Sequence, residues 1–429
     1  MAIHQCFRKG FGEGFGAVLA RALALPRRRR FVLWAATAVV CAWLGSTPLV
    51  ADDEAADGKK TPRPERTAAE RDVEARRLRE IYRGDRSRWP PPMIDPGVEW
   101  REIGPLPNVV HPESNPLSPA KVTLGRTLFF DARLSSSGKL ACASCHEPNL
   151  GWADGRAVSQ PLRPAPARNA PTIRNAAFHE LLFWDGRAES LEQQVEQALT
   201  NPHEMGTSPD HVVGLVSGIP RYRALYEEAF PNEPVTFDAL AKAVACFERT
   251  IVGGRSRFDE FMAGDAAALT DAELIGLDLF RREARCTNCH HGPVFSDGRF
   301  HDLGLSFYGR RREDRGRHAV TGDPKDVGRF RTPTLRDVTR TTPLTHTGMF
   351  ELSGVLNMYN AGMVTLKRQD FQRDDPLFPV KSPHLRPLSL NQQDLADLAA
   401  FLGTLEEPRH RMMPPDLPTL DDQAASSGR

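Results

Sequence analysis

Cys142-Ala143-Ser144-Cys145-His146 and Cys286-Thr287-Asn288-Cys289-His290 are the stretches that decide how this chain is read. Each sets two thiols one helical turn apart, with a histidine directly after the second. That spacing lets both sulfurs bond the vinyl groups on one edge of a porphyrin while the imidazole ligates the iron from below. His146 and His290 are thus candidate proximal ligands of two covalently bound c-type haems. A zinc site or a redox dithiol is the alternative, but either needs only C-x-x-C and leaves both adjacent histidines to chance.

Working outward, the surroundings of the two motifs repeat. Asp154-Gly155-Arg156 after the first is answered by Asp297-Gly298-Arg299 after the second, and Pro171-Thr172-Ile173-Arg174-Asn175 by Pro333-Thr334-Leu335-Arg336-Asp337. An aromatic ring and a glycine follow in each copy: Trp184 with Gly186, then His346 with Gly348. Self-similarity of this kind implies two related units, divided near Gly253-Gly254.

Between the motifs the pattern is helical. Starts are signalled by Ser118-Pro119, Ser208-Pro209 and the boxes Ser190-x-x-Gln193, Thr270-x-x-Glu273 and Ser389-x-x-Gln392. Thr270–Arg282 and Leu390–Leu405 read as the packing helices of the second unit, and Phe237–Ile251 has its apolar residues at helix spacing. That spacing makes Cys246 a buried, inert thiol. Glu65–Tyr82 reads as a peripheral helix, and the prolines between Trp89 and Pro119 exclude long helices in favour of a surface strap. No run alternates as a strand would. The expected fold is all-α, with two cytochrome c-like haem domains in tandem joined by long loops.

The chain's 429 residues allow roughly two or three domains. The expected division is a targeting segment at 1–51, a charged and proline-rich extension at 52–117, haem domains at 118–254 and 255–408, and a polar tail at 409–429. Lys and Arg number 56 against 55 Asp and Glu, so no global field favours nucleic acid or an anionic membrane. Arg27–Arg30, the apolar run Phe31–Gly45 and the small-residue exit Leu49-Val50-Ala51 have the layout of a secretory signal. The run is about 15 residues, short of the roughly 20 that span a bilayer, so a periplasmic destination is expected and an uncleaved anchor is the alternative. Cys6 and Cys41 fall in this segment. Arg28-Arg29-Arg30-Phe31 brushes a twin-arginine signal, but that route carries folded proteins, whereas c-type haem is attached to a chain still open after export.

Several further motifs make the chain resemble the bacterial dihaem cytochrome c peroxidases, including the MauG-type enzymes of methylamine utilisation. These are Arg168-Asn169-Ala170-Pro171-Thr172, Phe183-Trp184-Asp185-Gly186-Arg187, Asn201-Pro202-His203-Glu204-Met205 and Arg331-Thr332-Pro333-Thr334-Leu335-Arg336, and the match runs from about Pro119 to Leu405. The resemblance implies that the first haem meets peroxide and the second passes electrons. It implies Glu204 as the proton-moving group, Gln194 as its hydrogen-bonding assistant, and Trp184 as an electron relay between the haems. It also implies Ca²⁺ held by the Asn169 side chain and the carbonyls of Thr341 and Pro343, with Arg168 and Arg331 as propionate partners.

Two features depart from the peroxidases. Many of them close the first iron with a second histidine, yet residues 147–178 contain none, and His179 and His203 are the nearest candidates. The first site is therefore expected to be open. The sixth ligand of the second haem is a methionine in the peroxidases and a tyrosine in MauG-type enzymes. Here, allowing for one missing residue, Tyr359 falls at that place, with Met358 beside it. The two point about 100° apart on a helix, so only one faces the iron. The expected activity is reduction of hydrogen peroxide with electrons from a small cytochrome c, cupredoxin or quinol. Oxidative modification of a partner protein, in MauG fashion, is the runner-up, and a non-enzymatic dihaem electron carrier is the third reading.

Overall fold

In the computed structural model, residues 61–158, 168–409 and 411–421 are described; the expected targeting segment, with Cys6 and Cys41, lies outside them. Helix α1 (Ala68–Tyr82) begins at a Thr67/Glu70 capping box. Helix α2 (Pro119–Phe129) starts as expected, with Ser118 Oγ accepting from the Lys121 N–H and Pro119 in the first turn, where a missing N–H costs nothing. Helices α3 (Leu191–Thr200), α4 (Pro209–Gly218), α5 (Pro220–Ala229) and α6 (Phe237–Glu248) follow. Together with α2 they bury Leu128, Phe129, Val195, Val216, Tyr222 and Phe247 in one hydrophobic cluster.

A second cluster forms around α7 (Arg257–Met262), α8 (Asp271–Arg281), α10 (Leu352–Asn360) and α11 (Gln392–Gly403), with Phe258, Leu277, Phe280, Phe295 and Phe401 at its centre. The short helix α9 (His318–Thr321) lies in the long connection between α8 and α10. Helix α1 is not peripheral: Ala75, Leu78 and Tyr82 sink into this cluster, and the Tyr82 hydroxyl donates to Asp278 at 2.8 Å. The strap before α2 is free of long helices, as the prolines require, yet Trp89 and Ile103 anchor it in the same core. Cys246 is fully buried.

The two clusters use one packing device. Gly125 lies where α2 meets α6, and a Cβ there would fall 1.9 Å from the Ala243 carbonyl oxygen. At Gly276, where α8 meets α11, a Cβ would fall 2.0 Å from the Asp397 carbonyl oxygen. Only glycine lets either pair of backbones approach so closely.

Three local expectations differ from the structure. The last long helix is capped by Asn391 and Asp394, each accepting the other's backbone N–H, and so begins after Ser389 rather than at it. Gln193 accepts from the Glu189 N–H instead of closing the Ser190 box. The fold is mostly helical but carries a small antiparallel ribbon of β1 (Phe300–Asp302) and β2 (Arg329–Arg331). Strands of three residues are too short to show alternation, and their pairing is held by chain neighbours far apart in sequence.

Candidate active site

Both C-x-x-C-H motifs fold alike. Cys142–Ser144 and Cys286–Asn288 each form a single 3₁₀ turn, and the histidine N–H closes onto the first cysteine's carbonyl at 3.0 and 2.8 Å. His146 Nδ1 lies 3.2 Å from the Trp152 carbonyl oxygen, and His290 Nδ1 lies 2.9 Å from that of Phe295. A carbonyl can only accept, so Nδ1 carries the proton and Nε2 is left as a lone-pair donor. Burial holds both imidazoles below the usual histidine range, in the neutral form that ligates iron.

The supports repeat as well. Thr172 Oγ1 donates to the Gly151 carbonyl at 2.6 Å, and Thr334 Oγ1 to that of Val294 at 2.7 Å. An isolated antiparallel bridge, Leu182 with Ala188 and Leu344 with Phe350, brackets each aromatic-glycine pair.

No disulfide joins the motif cysteines, and burial pushes the Cys142, Cys286 and Cys289 thiols upward, Cys286 to about 12.

Beside the second motif lies an open cavity walled by Cys286, Cys289, His290, Trp184, Arg331 and Tyr359. Its surroundings fit a large, flat, apolar group with acidic edges. Leu356, Leu398 and Leu402 line it. Arg331 is 7 % exposed, and among the described residues its guanidinium hydrogen-bonds only to carbonyl oxygens, those of Phe183 and Thr332. Burial pushes this guanidinium down to about 10, and an adjoining carboxylate would relieve that cost. The two ribbon strands set Arg331 here, and Phe330 stacks on His346 at 3.5 Å between centroids.

At the first motif, Glu204 follows the end of α3. Its Oε1 accepts from Asn201 Nδ2 at 2.8 Å and from Arg187 Nη2 at 3.2 Å. The side chain keeps 39 % of its surface, yet the wall around it desolvates the carboxyl. That desolvation raises its pKa above the ordinary range against the opposing pull of Arg187. Gln194 is half-buried on α3. Glu248, which sequence reasoning missed, closes α6 beside the first motif. It is 3 % exposed, its Oε2 has no partner among the described residues, and burial pushes it up to about 8. Nothing in the local pattern separates Glu248 from an ordinary helix-end acid.

Trp184 joins the two regions. It lines the second cavity, its Nε1–H donates to the Asn169 carbonyl at 2.9 Å, and its ring lies 6.1 Å from that of His346. The Arg331 N–H donates to the Trp184 carbonyl at 2.8 Å. Gly186 has φ of 68°, and a Cβ on it would meet Phe300 at 2.3 Å, so this tight turn takes glycine.

The family described as di-haem cytochrome c peroxidase matches residues 119–267. The methylamine utilization protein MauG of Methylorubrum extorquens is 38 % identical over 317 residues, covering 72 % of this chain and 85 % of the relative. The chain belongs to the di-haem cytochrome c peroxidase and MauG family. Cytochrome-c peroxidase IdrP1 of Denitromonas iodatirespirans is 35 % identical over 71 % of this chain and 86 % of its own. A solved MauG-like protein associated with microbial copper homeostasis superposes with a TM-score of 0.63 at 34 % identity, covering 70 % of this chain and 93 % of that one.

Membership makes the chain a peroxidase-type oxidoreductase of a two-haem family and sets aside the non-enzymatic carrier. The remaining expected residues distribute unevenly. Tyr359 lines the second cavity and senses Cys289 and Cys286, whereas Met358, its neighbour on α10, is not part of that wall. His179 also lines the second cavity. Asp314 holds Arg168 at 2.7 and 2.9 Å and Asp185 holds it at 2.6 Å. Asn169 is fixed through Nδ2 to the Arg156 carbonyl at 2.8 Å, which leaves Oδ1 for a cation. Asn169 and Thr341 share the cavity wall, and Pro343 lies outside it.

Proposed function

We propose that this protein reduces hydrogen peroxide to water at the first motif, with electrons from a small cytochrome c, cupredoxin or quinol entering through the second. The observation that carries this reading is Glu204, a carboxyl with raised proton affinity held through one oxygen beside the first C-x-x-C-H turn. Cys142, Cys145, Cys286 and Cys289 would attach the two haems, with His146 and His290 as proximal ligands through Nε2. When bound, the haems supply an open iron position that polarises the O–O bond and a store for two electrons.

Glu204 takes the proton from the near oxygen of peroxide and returns it to the far one, which departs as water. The carboxylate ends as it began, and the reaction balances as H₂O₂ + 2e⁻ + 2H⁺ → 2H₂O. Gln194 orients the peroxide, Arg331 neutralises a propionate, and Trp184 shortens the electron path. Asn169, Thr341 and Pro343 would complete a Ca²⁺ site. Export to the periplasm, by the signal read in residues 1–51, belongs to the same proposal.

The test is stoichiometric. Ferric protein mixed with H₂O₂ and a reduced small cytochrome should oxidise two equivalents of donor per peroxide. Peroxide consumed without donor oxidation overturns the peroxidase reading.

A MauG-type role is the second reading, favoured by Tyr359 facing the cavity where Met358 does not. Burial raises the proton affinity of this phenol, so the phenolate needs a compensating cation, which a ferric iron provides. An anionic oxygen stabilises Fe(III), and Tyr359→Met should raise the potential of the second haem. Potentiometry that finds the same potential in both proteins would remove Tyr359 from the iron.

A further inference from the structure

Arg187 has no role in the reading above, yet it stands at the centre of a chain of charges. Its Nη1 donates to both oxygens of Asp185 at 3.1 Å, and its guanidinium carbon sits 3.4 Å from the centroid of Phe183. Asp185 is pinned in turn by Arg168, which Asp314 grips with two bonds. Stacking on one face and a bifurcated bond from Nη1 restrain this guanidinium. Its other terminal nitrogen, Nη2, meets Glu204 at Oε1, the same oxygen that Asn201 Nδ2 reaches. No donor among the described residues reaches Oε2.

We infer that Arg187 is the positioning residue of the peroxide site: it holds Glu204 by Oε1 alone, so that Oε2 is the oxygen that carries the peroxide proton. This rests on the reading of Glu204 as the proton-moving group. The segment Phe183–Arg187 then serves both halves of the reaction. Trp184 faces the second cavity, and three residues later Arg187 orients the acid of the first site.

The arrangement predicts a pH profile. Proton removal requires the Glu204 carboxylate, so the rate falls on the acid side as this group protonates. Four groups face it: Arg187 and Arg168 favour the carboxylate, Asp185 disfavours it, and Cys142 is neutral once thioether-linked. Arg187→Gln removes the nearest cation and leaves Asp185 with Arg168 as its one remaining cation among the described residues, and both changes favour the protonated acid. The acid limb should move to higher pH by roughly 1–3 units, the range set by an adjacent opposite charge. Arg187→Lys keeps the cation but loses the planar fork. Its limb should stay near that of the parent while the maximal rate remains low.

The measurement is stopped-flow reaction of the two-haem protein with H₂O₂ from pH 5 to 9, for the parent, Arg187→Gln, Arg187→Lys and Glu204→Gln. An Arg187→Gln limb at the parent position, with the Glu204→Gln limb abolished, overturns this inference alone. A parent rate in Glu204→Gln overturns the underlying reading instead. Should Arg187→Gln fail to hold both haems, Arg187→Lys carries the test. A lowered maximum with the limb in place supports positioning, and the full parent rate overturns it.

Discussion

Alanine at both Cys286 and Cys289 is expected to leave one covalently attached haem where the parent has two, and alanine at Cys142 and Cys145 should do the same at the other motif. Each pair sets two cysteines outside any disulfide on a single turn, with the next residue's imidazole locked into the ligating tautomer. A thioether survives acid-acetone extraction, whereas a haem held only by its iron does not. Denaturing mass measurement should therefore show the loss of one haem mass per motif. Cys246→Ala should lose none, because that thiol is buried on α6, where its Sγ donates to Asn115 Oδ1. A doubly substituted motif that still retains haem through extraction would exclude the thioether attachment.

Glu204→Gln is expected to slow the reaction with peroxide by about 10²–10⁴, the usual worth of a positioned general acid-base group. Glutamine keeps the shape and can still accept from Arg187 and Asn201 through its carbonyl, so the site should stay intact while losing its proton carrier. Unaltered haem spectra in the variant would separate this loss from unfolding. A variant that matches the parent rate would take Glu204 out of the mechanism.

What the sequence made legible was mostly local or repeated. The two C-x-x-C-H turns, the helix starts at Ser118, Ser208 and Thr270, and burial of Cys246 each depend on residues within one or two turns of chain. The expectations that differ depend on partners far away. The resemblance marks Arg168 as a propionate partner, and only the fold brings Asp314 to it, across 146 positions. Helix α1 seems peripheral by its charge, but Leu78 and Tyr82 find the face of α8. The β1/β2 ribbon is too short to carry a period. Arg187 and Glu248 look like surface charges, and only the packing of α3 and α6 around the first motif shows what each faces. The motif Phe183–Arg187 was visible as a string. That its tryptophan lines the cavity of the second motif while its arginine bonds Glu204 shows only in the fold.

The central claim is an open peroxide site beside Glu204 and a second haem closed by Tyr359. Electron paramagnetic resonance of the resting ferric protein, followed by one equivalent of H₂O₂ with no reductant, tests it most directly. The account predicts one high-spin and one low-spin ferric haem, and both signals should change within the first peroxide equivalent. Two low-spin haems that react only after half-reduction would contradict it, because a hidden ligand such as His203 would then close the first iron.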